Sequence, residues 1–291
     1  MLKSMTGFGR AEQVIGKKTF LVEIKSLNGK QFEILLKLPS LLKAYEFDIR
    51  NLLSEKLLRG SIDCTITLKQ NGAAKPVVIN TELAKSYYRQ LAELAESLQL
   101  DTSSILSSLL KLPEVVVPST EIMEEEEWKA FRSVVDEAIA NINTHRMNEG
   151  AVLERDLTQR IDNIREQQEK VIALEPLRQQ KIREGLVKLM EEHVGKDNFD
   201  SNRLEQEMIY YIEKIDISEE QVRLKNHCDY FKSLLREEGD AKGKKLSFIL
   251  QEIGREINTT GAKAYDASIQ KSVVLMKDEL EKAKEQVLNV L

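Results

Sequence analysis

Apolar side chains recur every second residue over much of the first seventy positions, and every third or fourth residue over most of the remaining chain. That change of period constrains the fold more than any single motif, because the two spacings belong to strand and helix respectively. TFLVEIKS at 19–26 sets Phe20, Val22 and Ile24 on one face, with Glu23 and Lys25 on the other. FEILLKL at 32–38 repeats the pattern with Phe32, Ile34, Leu36 and Leu38, and SIDCTITLK at 61–69 with Ile62, Cys64, Ile66 and Leu68. Leu27-Asn28-Gly29-Lys30 separates the first two runs, and Asn-Gly between alternating segments predicts a hairpin there. Pro39-Ser40 opens a helix to about Arg59, with Leu42, Tyr45, Ile49, Leu52, Leu53 and Leu57 as its stripe, and Gly60 ends it. With SMTGFGRAE as a first strand, the order strand, strand, strand, helix, strand makes an α+β module. Gly7-Phe8-Gly9 reads as a strand with a bulge, not as a phosphate loop.

Past residue 72 the helical period takes over. Residues 81–98 read as a helix and 113–118, bounded by prolines, as an extended segment. Glu124–Glu127 open a helix whose acids suit the positive end of its dipole. The helical pattern then runs almost to the C-terminus, with Glu175-Pro176 and GKDNFDSN at 195–202 as its main interruptions and REEGDAKGKK as a further loop. Ile269, Val273, Met276, Leu280, Ala283, Val287 and Val290 form a seam with alternating steps of four and three. Such a seam packs either on its own domain or on a helix from another subunit. The expected organisation is a small N-terminal sheet module with a packed helix at 1–112, a long helical region at 119–200 and a C-terminal helical domain at 201–291.

A chain of 291 residues, 31% charged and 5% aromatic, suits a soluble protein rich in surface helix. No apolar run approaches the roughly 18 residues needed to span a membrane, and MLKSMTGFGR lacks the core of a signal peptide. Two distant cysteines, Cys64 and Cys228, form no metal motif and fit a reduced, cytoplasmic setting. Residues 1–70 carry 12 Lys+Arg against 7 Asp+Glu, whereas the remainder carries 31 against 41. That imbalance is compatible with an anionic partner docking on the first part, and equally with ordinary solvated surface. No P-loop or dinucleotide fingerprint calls for a nucleotide cofactor.

QEIGREINTTGAK at 251–263 concentrates chemistry. Glu252, Arg255 and Glu256 crowd one helical face. Either Arg255 bridges the two acids in a structural helix end, capped by Gly261 in a left-handed turn, or a cation does. In the second case Glu252 and Glu256 are the metal ligands, Arg255 touches phosphate, and Asn258 and Lys263 stand nearby. In KIDISEEQVRLKNH at 214–227, Asp216 or Ser218 caps a helix, and Arg223 and His227 stack one turn apart. His227 can serve as a general base or metal ligand, or as a hydrogen-bonded structural group. Glu149 and Asp156, with Arg146 one turn earlier, read as a structural charge face. His145 and His193 are read as lacking partners at ligand spacing.

Five stretches in order, SMTGFGRAE (4–12), VEIKSLNGKQFEILLKLP (22–39), RMNEGAVLERDL (146–157), RLEQEMIYYIEKIDISEEQVRLKNHCDYF (203–231) and GKKLSFILQEIGREINTTGAKA (243–264), resemble the YicC family of bacterial proteins. The resemblance implies a cytoplasmic homo-oligomer, ring-like or clamp-like and hexameric, with endoribonuclease activity dependent on a divalent cation, manganese or magnesium. Two positions depart from the family pattern: Asn28-Gly29-Lys30 stands where members carry Asn-His-Arg, and Gly254 where they carry Asn. With RNA as the expected partner, Lys3, Arg10, Lys25, Asn28, Lys30, Arg223 and Lys263 are the candidate contacts, and Phe8 could stack on a base. The candidate catalytic set is Glu252, Arg255, Glu256 and His227. A non-catalytic oligomeric adaptor that binds RNA or another nuclease is the alternative the same features allow.

Overall fold

The structure, a computed structural model, describes residues 2–29, 31–57, 59–70, 77–99, 101, 104–118, 123–194, 201–237, 239 and 242–291. Its first part is a four-stranded sheet of β1 (Gly7–Ile15), β2 (Lys18–Leu27), β3 (Glu33–Lys37) and β4 (Ser61–Gln70), in the order β1-β2-β4-β3. A 3-10 turn at Ser40–Tyr45 leads into α1 (Glu46–Leu57). An excursion after β4 holds β5 (Val77–Ile79), α2 (Thr81–Ser97), α3 (Ile105–Leu109) and β6 (Val116–Pro118), with β5 and β6 paired. The remainder is helical: α4 (Glu125–Val194), α5 (Ser201–Ile215), α6 (Ser218–Arg236), α7 (Gly243–Lys263) and α8 (Ala267–Val287). The fold is α+β, as the two periods require. No helix among the described residues is long and apolar enough to cross a membrane.

The sheet's pairing differs from the hairpin expected at Asn28-Gly29. β2 is paired with β4 along ten residues, from Lys18 against Gln70 to Leu27 against Ser61. β3 lies parallel on the other edge of β4. A strand-helix-strand order forces this outcome, since parallel neighbours need a crossover and α1 supplies it. The tight hairpin is instead β1–β2, turning at Gly16-Lys17 with Gly16 at φ 61°. Asn28 donates from Nδ2 to the Leu288 carbonyl at 2.7 Å, so that corner is tied to the end of α8.

The seventy residues of α4 serve two cores. Its first half crosses the inner face of the sheet, where Phe131, Val134, Val135, Ala138 and Ile142 meet Phe20, Val22, Ile24, Ile62 and Cys64. Further along, Leu153, Leu157, Ile161, Ile164 and Val171 enter a bundle with α6, α7 and α8. All seven residues of the seam lie in this intramolecular core, so α8 packs on its own domain. Burial pushes the thiols of Cys64 and Cys228 up to about 12. Pro176 does not end α4, contrary to expectation. Anchors on either side of it outweigh the roughly 3 kcal/mol cost of a mid-helix proline: Val171 is fully buried, and Arg178 is tied to Glu175 and to the carbonyls of Ile215 (2.8 Å), Lys263 (3.1 Å) and Ala264 (3.4 Å). Gly261 is likewise no left-handed cap. It lies inside α7, where a Cβ would stand 3.0 Å from Val273. The break expected at 195–202 falls largely outside the described residues, with α5 already formed from Ser201.

β1 carries no bulge, because its register against β2 is continuous from Gly7 to Ile15. Its glycines answer to close packing. A Cβ on Gly9 would strike the Ala138 carbonyl of α4, and one on Gly150 would strike the backbone of Leu2. The chain before β1 therefore runs hard against α4, with Ser4 N donating to Arg146 O at 3.0 Å. On its far side, Met5 N donates to Asn289 O at 2.8 Å and Leu291 N to Lys3 O at 2.9 Å.

Candidate functional site

α6 and α7 lie side by side, joined by Gln221 Nε2 donating to Thr260 Oγ1 at 3.0 Å and by Lys263 Nζ donating to Glu220 Oε1 at 2.8 Å. Glu256 is two helical turns before Lys263 and so faces α6; it is only 4% exposed. Glu252 and Arg255 are exposed. None of these three side chains has a hydrogen-bond or ion-pair partner within the described residues, so Arg255 does not bridge the acids. Among the described residues, the fully buried side-chain oxygens that lack a partner are Glu220 Oε2 and Gln221 Oε1 on α6, not those of Glu256. Glu256 is thus buried while Glu252, one turn earlier, stands in solvent. No group of three or more His, Cys, Asp or Glu among the described residues is arranged to hold a metal.

Other residues of the expected set have structural partners. Lys263 also donates to the Asp216 carbonyl at 3.0 Å, which ties the end of α7 to the start of α6. The N-cap of α6 is Ile217, not Asp216 or Ser218 as expected; Asp216, just before it, accepts from Ser218 N at 3.0 Å and from Ser218 Oγ at 2.7 Å, and the Ser218 hydroxyl is the main cause of its lowered pKa. Arg223 pairs with Glu219 on the surface. His227 is half-buried on α6 and makes no hydrogen bond among the described residues. Arg160 bridges Asp156 and Glu279, so Asp156 is structural, as expected. Arg146, 1% exposed, donates to the carbonyls of Leu57 (3.0 Å) and Arg59 (3.2 Å) and to Ser26 Oγ (2.5 Å). Burial lowers its pKa.

The remaining candidates lie on or beside the sheet. The inner face of the sheet is filled by α1 and α4, and its outer face is open. Alternation from the buried Gly9 and Ala11 turns Phe8 and Arg10 outward, with Phe8 40% exposed. Lys25 stands directly across from Phe8 in the β1–β2 register and is exposed, with no partner among the described residues. An aromatic ring beside a free ammonium is the combination that holds single-stranded nucleic acid by stacking and charge. Arg10 is paired with Glu12 at 2.8 Å, and Asp63 with Lys37 at 3.4 Å, so the face is mixed in charge. Lys3 lies in the segment before β1, Asn28 is engaged with α8, and Lys30 lies outside the described residues.

Beside this face is a cluster absent from the candidates the sequence suggests. Asn141 Nδ2 donates to Arg10 O at 2.9 Å, and Thr6 Oγ1 donates to Glu149 Oε2 at 2.9 Å. Asn141, His145 and Glu149 are successive turns of one stripe on α4, laid along the free edge of β1. His145 Nδ1 stands 3.9 Å from Glu149 Oε2. His145 thus has a carboxylate one helical turn away, at a distance longer than a hydrogen bond, and the four-residue interval in HRMNE was the available signal. The acids of α7 and the open sheet face do not meet within one chain: α7 packs chiefly on α6 and α8, and the sheet on α4.

Residues 2–155 match the description "Endoribonuclease YicC-like, N-terminal region", and residues 171–291 match "Endoribonuclease YicC-like, C-terminal". A Clostridioides difficile (strain 630) protein named "Probable endoribonuclease YicC" is 33% identical over 296 residues, covering all of both chains. A protein of the same name from Haemophilus influenzae (strain ATCC 51907 / DSM 11121 / KW20 / Rd) is 31% identical over 292 residues, again covering all of both.

Proposed function

The chain belongs to the YicC-like endoribonuclease family, and from that premise we propose that it is a cytoplasmic endoribonuclease that works as a homo-oligomer, depends on a divalent cation and cuts RNA held on the open face of its sheet. The observation that carries this reading is the placement of Phe8, Arg10 and Lys25 together on that face. Bases would stack on Phe8 while the cationic side chains hold phosphates, which gives affinity with little sequence reading. Glu252 and Glu256 would hold manganese or magnesium, which supplies positive charge to offset that of a phosphate. Because those acids lie apart from the sheet within one chain, they would act on RNA gripped by a neighbouring subunit.

Labelled RNA incubated with the protein, with manganese or magnesium and then with chelator, tests the activity. Cutting should require the cation and should be lost in the double variant Glu252→Gln, Glu256→Gln. Unchanged cutting by that variant would remove the α7 assignment. Phe8→Ala should weaken binding of single-stranded RNA by about 5- to 100-fold, the usual loss for one stacked base. The separation of the acids from the sheet favours a second reading, an oligomeric adaptor that binds RNA or another nuclease without cutting. Tight RNA binding with no cleavage at micromolar protein would select it.

A further inference from the structure

From the free edge of β3 we infer that two copies of the chain join there, strand against antiparallel strand, into one continuous sheet. The inference rests on the homo-oligomer part of the proposed reading and names a surface through which the copies meet.

Three observations carry it. The first is an open backbone edge. β3 is the outermost strand and is bonded to β4 on one side only. Glu33 N donates to Gly60 O, toward β4, so Leu35 and Lys37 bond to that side as well. The N–H and C=O groups of Ile34 and Leu36 therefore point to the free edge. Arg50 Nη1 reaches the Ile34 carbonyl from that side, at 3.2 Å. A carbonyl has two lone pairs, so Ile34 can still accept from another strand.

The second observation is self-complementarity. β3 reads EILLK: an acid, three apolar residues and a base. The two outward-pointing residues fix the register, because Ile34 exchanges both its bonds with Leu36 of the partner subunit. A two-fold axis then passes between the Leu35 residues. In that register Glu33 stands directly across from Lys37 of the partner subunit, and the symmetry makes the ion pair twice. A slip by two residues loses both pairs. A strand that matches itself in this way favours a second copy over an unrelated chain.

The third is exposed apolar surface on both sides of the edge. Leu35, on the outer face, is 56% exposed, and Phe47 of α1 is 72% exposed. Phe47 stands one turn before Arg50, on the side of the helix that reaches β3. Pairing about the axis covers Leu35 with its own counterpart and brings Phe47 beneath the joined edges. The sheet register runs in one row from Phe8 through Lys25 and Asp63 to Leu35. Joining the edges extends that row across both sheets, with the two Phe8 positions about 34 Å apart at about 4.8 Å per strand. A strand of RNA gripped at both positions is held more tightly without any new kind of contact.

The test uses the full-length protein. Native mass is measured by light scattering at high micromolar concentration for the parent, Glu33→Lys, Lys37→Glu and the double variant, with melting temperature as the check on folding. Each single change sets like charges across the axis and should lower the mass by half. The double change restores both pairs with their signs exchanged and should return the parental mass. Lys37 also pairs with Asp63 at 3.4 Å. If the variants that lose that pair melt early, Glu33→Lys carries the comparison together with Leu35→Cys, which probes the axis directly. Side chains of a non-hydrogen-bonded antiparallel pair lie within disulfide reach, and the native Cys64 and Cys228 are buried and do not compete. Oxidised Leu35→Cys should run as a covalent dimer on a non-reducing gel. An oligomeric parent whose mass is unmoved by the charge variants, and whose Leu35→Cys form stays uncrosslinked, would overturn the inference and leave the homo-oligomer reading standing. A monomeric parent at every concentration would overturn both.

Discussion

Glu279 on α8 is held between opposing forces. Burial pushes its carboxyl up, but hydrogen bonds from Lys282 (2.8 Å), Asn163 (2.8 Å) and Arg160 (3.2 Å) outweigh that and hold it down at about 2. A carboxylate depressed in the folded state adds stability above its ordinary value of 4.5, and that stability drains away as pH falls toward about 2. Glu279→Gln should therefore cost on the order of 1–3 kcal/mol at pH 7. The gap between variant and parent should narrow at pH 4 and again at pH 3, read as urea midpoints. A gap independent of pH would show that these donors do not favour the charged form. Single side chains were the least legible part of the sequence. The crowding of Glu252, Arg255 and Glu256 on a helix was readable, yet which of them is buried depends on where α6 lies. Phe8 looks like a core aromatic until the two glycines beside it are seen to face α4. His145 and Glu149 carried a readable interval, but only Thr6, more than a hundred positions away, completes the cluster.

Elements were more legible than their pairing. Alternation located three of the four strands of the main sheet, and the seam located α8, because both patterns follow from which face is buried. Strand neighbours follow from chain reversal over longer distances, which is why Asn28-Gly29 misled and the crossover through α1 would have been the better guide. Pro176 misled for the same reason, since its effect is local and the anchors that override it are not. The contact between the segment before β1 and α4 gives a sharp test. Gly150→Ala places a methyl against the Leu2 backbone, and overpacking of this kind costs about 1–3 kcal/mol. Alanine is otherwise the better helix former by about 1 kcal/mol. The denaturation midpoint should fall despite that gain. A rise would show that the segment moves aside freely.

Taken as a whole, the molecule is two cores threaded by one helix. Residues 171–291 match one family description by themselves, yet their core is completed by Leu153, Leu157, Ile161 and Ile164 of α4, all buried. A fragment of residues 171–291 should accordingly be molten, binding hydrophobic dye and lacking near-ultraviolet circular dichroism, whereas residues 146–291 should unfold cooperatively. Cooperative unfolding of the shorter fragment would show that α4 is dispensable to the bundle.

The uninterrupted course of α4 past Pro176 also has a mechanical meaning. At 1.5 Å per residue, the 18 residues from Leu177 to Val194 form an arm about 27 Å long. Proline removes the hydrogen bond that would stiffen its base. A neighbour or ligand that changes the bend there by about 10° swings the tip by about 5 Å. Small forces at the fulcrum thus become large travel at the far end of the arm.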